Sequence, residues 1–402
     1  MLKKFYKSKF CDKLGSKFRK ILMEKNYNNN EKALIFLSLF DLMPQKEAEL
    51  LSLFDEPSEL LENFYEREKE INKTFVKLMK RESQAENISE KYHKTVAQMK
   101  KAIEDNLLES YIKNLNSKDI LVLTPFSEGY PKKLLELEFP PQTLFCLGDI
   151  SLLNSDCIGV VGTRTPTSYG KLVTEKFCKG LSQNNFTIVS GLAAGVDSVA
   201  HKTALEAGGK TIAVLGGGFE HIFPTFNTEL ARRISREGLL ITEYRPSMQP
   251  ALYTFPQRNR IIAGLSLGIL LTEAGEKSGS LHTKEFALEL GREVFAVPGN
   301  INSAMSKGTN RLIRSAQGAC VLSFEDIVCT FRENVVKSPS VSNLQLSLDD
   351  QLILKHLESG EKTIEQLVEL TGFQIGKLNA NLTMLEIRGV VKQLPGNSYI
   401  LV

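Results

Sequence analysis

Between Cys157 and Val297 short apolar, β-branched runs recur with room for one helix between each pair, and this alternation restricts the fold more than any other feature of the chain. The runs are Cys157–Val161, Phe186–Val189, Thr211–Leu215, Leu239–Thr242, Leu267–Thr272 and Glu293–Val297. Most are apolar along their length rather than alternating, so both faces of each strand need cover. Strands covered on two faces and joined through helices build a parallel sheet between helical layers. The expected centre of the molecule is therefore a doubly wound α/β domain.

The flanks read differently. No Gly or Pro occurs between Ser58 and Thr124, a stretch rich in Glu, Lys, Leu and Asn, which predicts helix. Short amphipathic helices over Ala33 to Phe64, broken at Pro44 and Pro57, and a solvated long helix or helical hairpin over Glu66 to Lys101 make residues 1–120 an all-helical region. After the α/β part (121–330), the polar stretch around Ser338-Pro339-Ser340 reads as a linker within 331–345. Helical patterns at Leu348–Leu357, Thr363–Leu370 and Gln374–Arg388, then two short strands around Pro395-Gly396-Asn397, predict a winged helix over 346–402. A chain of 402 residues is long enough for this division.

Charge and cysteine usage narrow the function classes. The formal net charge is only +3, so a nucleic-acid site must come from local clustering of Lys and Arg. Lys3, Lys4, Lys7, Lys9, Lys13, Lys17, Arg19 and Lys20 do cluster, and read first as a basic leader and second as a DNA-contacting arm. No apolar run of about 18 residues and no signal-type segment is present, so no membrane span and a cytoplasmic location are expected. The six cysteines show neither C-x-x-C spacing nor a flanking His pair, so neither zinc nor a disulfide framework is expected.

Three Gly-rich turns stand where strands would hand over to helices. The first carries Gly162, Thr163 and Arg164; the second runs Ser190-Gly191-Leu-Ala-Ala-Gly195-Val-Asp197; the third is Gly216-Gly217-Gly218. Helix N-termini offer unpaired N–H groups to an anion, and open α/β sheets bind ligands where such turns converge. Asp197 reads as a helix cap rather than a ligand contact. Phe255-Pro-Gln-Arg258-Asn259-Arg260 then places a stacking face, an amide and two guanidinium forks in six residues, a set suited to a single strand. The competing reading makes Phe255 core and pairs an arginine with Glu243 or Glu273. Ser278, Gly279, Ser280 and Lys307 stand at two further helix starts and add N–H, hydroxyl and ammonium donors. His201 and His282 lack partners at metal spacing and read as packing or surface residues.

No G-x-x-x-x-G-K-[ST] occurs; Gly275-Glu-Lys-Ser278 lacks the required glycines, and G-x-G-x-x-G is missing from the first turn. ATP hydrolysis, a dinucleotide, any other cofactor, a metal and a catalytic centre are all unexpected. The alternative is a nucleotide-processing, phosphoribohydrolase-like enzyme holding a monophosphate in the same crevice, with Glu273 as general base.

Taken in order, Tyr130-Pro131, Pro140-Pro141, the Gly162–Arg164 turn, Ser190–Asp197, Phe255–Arg260, Glu273-Ala274 with Ser278-Gly-Ser280, and Pro298-Gly299 resemble the bacterial DNA-processing protein A (DprA/Smf) family over Leu121 to Val328. The resemblance implies an extended Rossmann-like domain, often preceded by a helical SAM-like domain and followed by a winged helix. It also implies a protein that binds and protects incoming single-stranded DNA in natural transformation, loads the recombinase RecA onto it, and forms a homodimer through the Rossmann-like domain. By the same resemblance the Arg164 turn and Phe255–Arg260 would form the DNA pocket.

Overall fold

The computed structural model describes residues 26–80, 87–332, 346–394 and 396–401. The leader and the expected linker stretch 333–345 lie outside them.

Helices α1 (Asn29–Leu37), α2 (Pro44–Leu51), α3 (Glu59–Glu62), α4 (Phe64–Lys80), α5 (Asn87–Glu104) and α6 (Leu107–Ser117) form the N-terminal region. Asn28 caps α1 by accepting from the Glu31 amide while the Glu31 carboxylate accepts from the Asn28 amide, so two otherwise unpaired donors are satisfied at once. Lys100 of α5 bridges Glu68 of α4 at 3.1 Å, and Ile71 packs with Val96 and Met99, so the two long helices run antiparallel. Their inner faces are buried, and the charged stretch is a packed hairpin rather than a wholly solvated helix.

The central sheet has nine strands among the described residues, in the order β1-β2-β6-β5-β4-β3-β7-β8-β9. Strands β3 (Cys157–Val161), β4 (Thr187–Ser190), β5 (Thr211–Val214), β6 (Leu239–Thr242), β7 (Gly268–Leu271) and β8 (Glu293–Ala296) pair in parallel as their apolar runs predict. The crossover helices are α7 (Ser168–Gln183), α8 (Val196–Glu206), α9 (Thr228–Glu237), α10 (Thr254–Leu265) and α11 (Ser280–Glu289). One edge departs from the all-parallel expectation: β1 (Leu121–Leu123) and β2 (Leu144–Gly148) pair antiparallel, and β2 joins β6 antiparallel. No crossover helix separates β1 from β2, so nothing returns the chain to a parallel start. The opposite edge is β9 (Ala319–Cys320), between α12 (Lys307–Arg314) and α13 (Phe324–Phe331).

From β3 the strand order grows one way through β4, β5 and β6, then restarts on the other side of β3 with β7. The helices that follow β3 and β7 therefore leave on opposite faces and open a crevice at the carboxyl ends of these strands. The sheet's two faces are sealed by clusters around Val161, Ile212, Ile261 and Leu271, and around Ile158, Phe177, Phe186 and Phe295. Tyr27, Ile35, Ile112 and Leu115 of the helical region pack with Val122, Phe145 and Leu240, so that region is seated on the sheet.

At the C-terminus α14 (Leu348–Leu357), α15 (Ile364–Thr371) and α16 (Ile375–Ile387) meet a sheet of β10 (Lys362–Thr363), β12 (Ser398–Leu401) and β11 (Val391–Leu394). Leu354, Leu367, Leu378, Leu385 and Tyr399 form its core. This is a winged helix. Among the described residues no helix is long and apolar enough to cross a membrane.

Candidate nucleic-acid interface

The crevice is lined by Gly162, Thr163 and Arg164 from the turn after β3, by Phe255, Arg258, Asn259 and Ile262 of α10, and by Lys277, Ser278, Gly279 and Ser280 at the start of α11. Three elements thus bring most of the candidate residues together.

The turn after β3 is tightly tied. The Thr163 amide donates to Glu273 O at 2.7 Å, and the Val196 amide donates to Thr163 O at 3.1 Å. Thr167 caps α7 by accepting from the Gly170 amide at 3.1 Å, while its own amide and hydroxyl donate to the two oxygens of the Glu273 carboxylate, both at 2.8 Å. Glu273 is buried and spent on this turn. Arg164, held at the turn's tip, is exposed, and among the described residues no carboxylate lies within ion-pair distance of it. Its guanidinium carbon stands 5.9 Å from the Phe255 ring centroid, on the opposite wall.

Helix α10 explains which residues of Phe255–Arg260 reach the crevice. At 3.6 residues per turn, Phe255, Arg258, Asn259 and Ile262 share one face. Arg260 falls on another and pairs there with Glu243, both side chains more than nine-tenths buried. The structure thus does not bring Arg260 into the crevice with Phe255, Arg258 and Asn259: six consecutive residues on a helix cannot all face one side. Arg258 lines the crevice floor but is 4% exposed, and its Nη1 donates to Gly191 O at 2.5 Å and to Val214 O. Burial pulls its pKa down to about 10, the neighbouring Asp197 acting the other way and Arg164 adding to the drop. Arg258 is a cross-brace between strands first, and a charge beneath the crevice second.

The second Gly-rich turn serves the same bracing. Asp197 does not cap its own helix; its Oδ2 accepts from the Gly191 amide at 3.1 Å and the Ala193 amide at 3.3 Å. Ser190 donates its hydroxyl to Val160 O at 2.6 Å. A Cβ at Gly191 would lie 2.4 Å from the Arg258 guanidinium, and one at Gly195, where φ is +80°, would lie 2.4 Å from Thr163 O. Both glycines permit close approach of neighbouring protein atoms. Ser190, Gly191 and Gly195 therefore support the crevice and are not among the residues that line it. Lys307 begins α12 and also lies off the crevice wall.

At the start of α11 the hydroxyls of Ser278 and Ser280 stand 2.8 Å apart, and Gly279 has φ of −62° with no atom within 4 Å of where a Cβ would be. Neither backbone nor packing requires glycine there, so the space it leaves open faces the crevice. Lys277, His282, Phe223, Leu252 and Met305 also line the crevice. Sequence reasoning missed these five. Lys277 sits in the segment set aside as a failed phosphate loop, one residue before Ser278; the others carry no local signal. His282 faces solvent and contacts Glu285 at 3.3 Å. No group of three or more potential metal ligands occurs among the described residues.

Comparison with known proteins gives a consistent picture. Residues 121–332 match the family model described as DNA recombination-mediator protein A, and residues 337–397 match that of the DprA winged helix domain. A DNA processing protein DprA of Bacillus subtilis is 45% identical over 203 residues, covering 50% of this chain and 68% of its own. A protein Smf of Escherichia coli is 37% identical over 282 residues, covering 67% of this chain and 74% of its own. The X-ray structure of DNA processing protein A from Streptococcus pneumoniae covers 77% of this chain and 100% of its own at 33% identity, with a TM-score of 0.62. A DNA processing protein A structure from Helicobacter pylori, described for its single-stranded DNA binding mode, covers 54% of this chain and 97% of its own at 31% identity and a TM-score of 0.50.

Proposed function

This chain belongs to the DNA recombination-mediator protein A family, and we propose that its crevice binds single-stranded DNA, protects it, and presents it to the recombinase RecA during natural transformation. The observation that carries the reading is the pairing of an uncompensated Arg164 guanidinium with the Phe255 ring across a crevice at the strand-order switch. A cation without a protein partner is available to a phosphate, and an aromatic face to a base. Gly279 leaves open space beside the Ser278 and Ser280 hydroxyls at the positive end of α11, where a second phosphate could be received.

The protein acts in this reading as a cytoplasmic binding factor, not an enzyme, without cofactor or metal. The nucleotide-processing alternative needs a free general base, whereas both oxygens of Glu273 accept hydrogen bonds from Thr167. Pairing into a homodimer through the Rossmann-like domain is supported by the open edge at β9, where Ala319 and Cys320 are exposed and Leu322 is 75% exposed.

Equilibrium binding to oligo-dT across a salt series tests the assignment. Each phosphate neutralised adds about 0.7 to the log–log salt slope for a single strand. Arg164→Ala should weaken binding and flatten the slope by about that amount. An unchanged affinity and slope would remove the crevice as the DNA site.

A further inference from the structure

We propose that the exposed aromatic turn Phe223–Phe226 is a second base-stacking platform, which carries a bound strand out of the crevice and across the carboxyl end of β5; the proposal rests on the crevice reading above.

The turn follows β5 and displays Phe223 at 52% and Phe226 at 72% exposure. Aromatic rings so open to water are uncommon unless a ligand covers them. The Phe223 ring centroid stands 5.6 Å from that of Phe255, and Phe223 itself lines the crevice, so the two aromatic surfaces are continuous. Leu252 and Tyr253, just before Phe255 in the chain and 92% and 50% exposed, add to the apolar surface.

The turn is held rather than loose. Buried Asn227 donates from Nδ2 to Leu192 O at 2.9 Å and to Ser198 Oγ at 2.8 Å, and Thr228 donates its hydroxyl to Thr225 O at 2.6 Å. Leu192 belongs to the turn that Arg258 and Asp197 brace, so platform and crevice share one support. A fixed ring stacks on a base with little loss of its own freedom.

Charge does not oppose a strand. Glu220 is neutralised by Lys118 at 2.7 Å and Glu229 by Arg232, so the carboxylates that flank the turn do not repel a phosphate chain. The rings accept any base by its π-face, which is sequence-tolerant binding.

The test is Phe226→Ala, a change at an exposed side chain, in the full chain, against oligo-dT of increasing length and an abasic strand of the longest length. Expected is a loss of about 5- to 150-fold for long strands, the equivalent of about 1–3 kcal/mol for one stacked base. The shortest strands and the abasic strand should bind as they do to the parent, and the salt slope should not move. If Phe226→Ala bound every length like the parent while Arg164→Ala lost affinity, the platform would be overturned and the patch would belong to a protein partner. Equal weakening of short, long and abasic strands would overturn it too, by showing that Phe226 acts through the crevice. If Arg164→Ala also bound like the parent, the crevice reading itself would fail.

Discussion

Two buried arginines two residues apart have different partners, Arg258 two backbone carbonyls and Arg260 a carboxylate. Arg260 is sealed against Glu243, and its Nη1 and the Glu243 Oε1 find no hydrogen-bond partner. Arg260→Ala would strand the buried carboxylate, so a stability loss of about 3–5 kcal/mol is expected, read as a lower melting temperature with an unchanged salt slope for DNA. A flattened slope would instead return Arg260 to the DNA pocket. His201 shows how burial sets a charge state. Thr211 donates its hydroxyl to Ile188 O at 2.7 Å, so towards His201 Nδ1, also at 2.7 Å, it accepts, and the proton of the neutral ring sits on Nδ1. Burial lowers the pKa of this ring to about 3 from the usual 6.5. The unfolded chain binds that proton first on acidification, so His201 costs no stability above about pH 6.5 and costs progressively more from there down to about pH 3. Denaturation midpoints measured across that window should fall with pH, and His201→Gln should make the fall shallower; an equal fall in the variant would exclude His201 as its source. The residue types at these positions were legible in the sequence, but which arginine meets a carboxylate and which meets backbone carbonyls was not. That depends on a helix face that motif reading takes no account of.

At the scale of elements, the decisive pieces are α10 and the start of α11. Phe255–Arg260 reads as a ligand loop because it is dense in useful chemistry, yet it lies inside the helix Thr254–Leu265. Its chemistry divides between two surfaces at 100° per residue. Gly279 tests the other wall. Its φ of −62° suits alanine and nothing lies within 4 Å of the added Cβ, so Gly279→Ala should leave the melting temperature nearly unchanged. It should nonetheless weaken single-strand binding by about tenfold, about 1.4 kcal/mol, because a methyl group would stand where a phosphate approaches the helix N-terminus. Parent-like binding by a well-folded variant would show that the start of α11 is not used. The strand runs and helix starts of the central sheet were visible as period and turn chemistry, whereas β1, β2 and β9 were not. Strands β1 and β9, three and two residues long, are too short to express a period, and β2, though five residues long, stands outside the strand–helix alternation because no crossover helix precedes it.

Across the whole molecule, a helical region is seated on one end of the sheet and a winged helix follows the other end of the chain. The winged helix is a poor phosphate binder by charge: Asp349, Asp350, Glu358, Glu361, Glu365, Glu369 and Glu386 outnumber Lys355, Lys362, Lys377, Arg388 and Lys392. Three of those cations are already paired, Lys377 with Asp349 at 2.6 Å, Arg388 with Asp350 at 3.7 Å and Lys392 with Glu175. A chain ended at Ser338 should therefore keep its single-strand affinity and its salt slope. A large loss in both, with the truncated chain still folded by circular dichroism, would move part of the DNA path onto the winged helix.

The sequence by itself determined the α/β centre, the helical front, the winged helix and the positions of the Gly-rich turns, since each follows from periodicity and backbone chemistry within a few residues. It also carried the ordered motifs that mark the family. Only the tertiary structure decided that Gly191 makes room for Arg258, that Glu273 is spent on Thr167, that Arg260 is buried, and that Phe223 and Lys277 join the crevice. Each of these is a contact between residues far apart in the chain, and its distance is set by how helices pack across the strand-order switch, a quantity no local pattern contains.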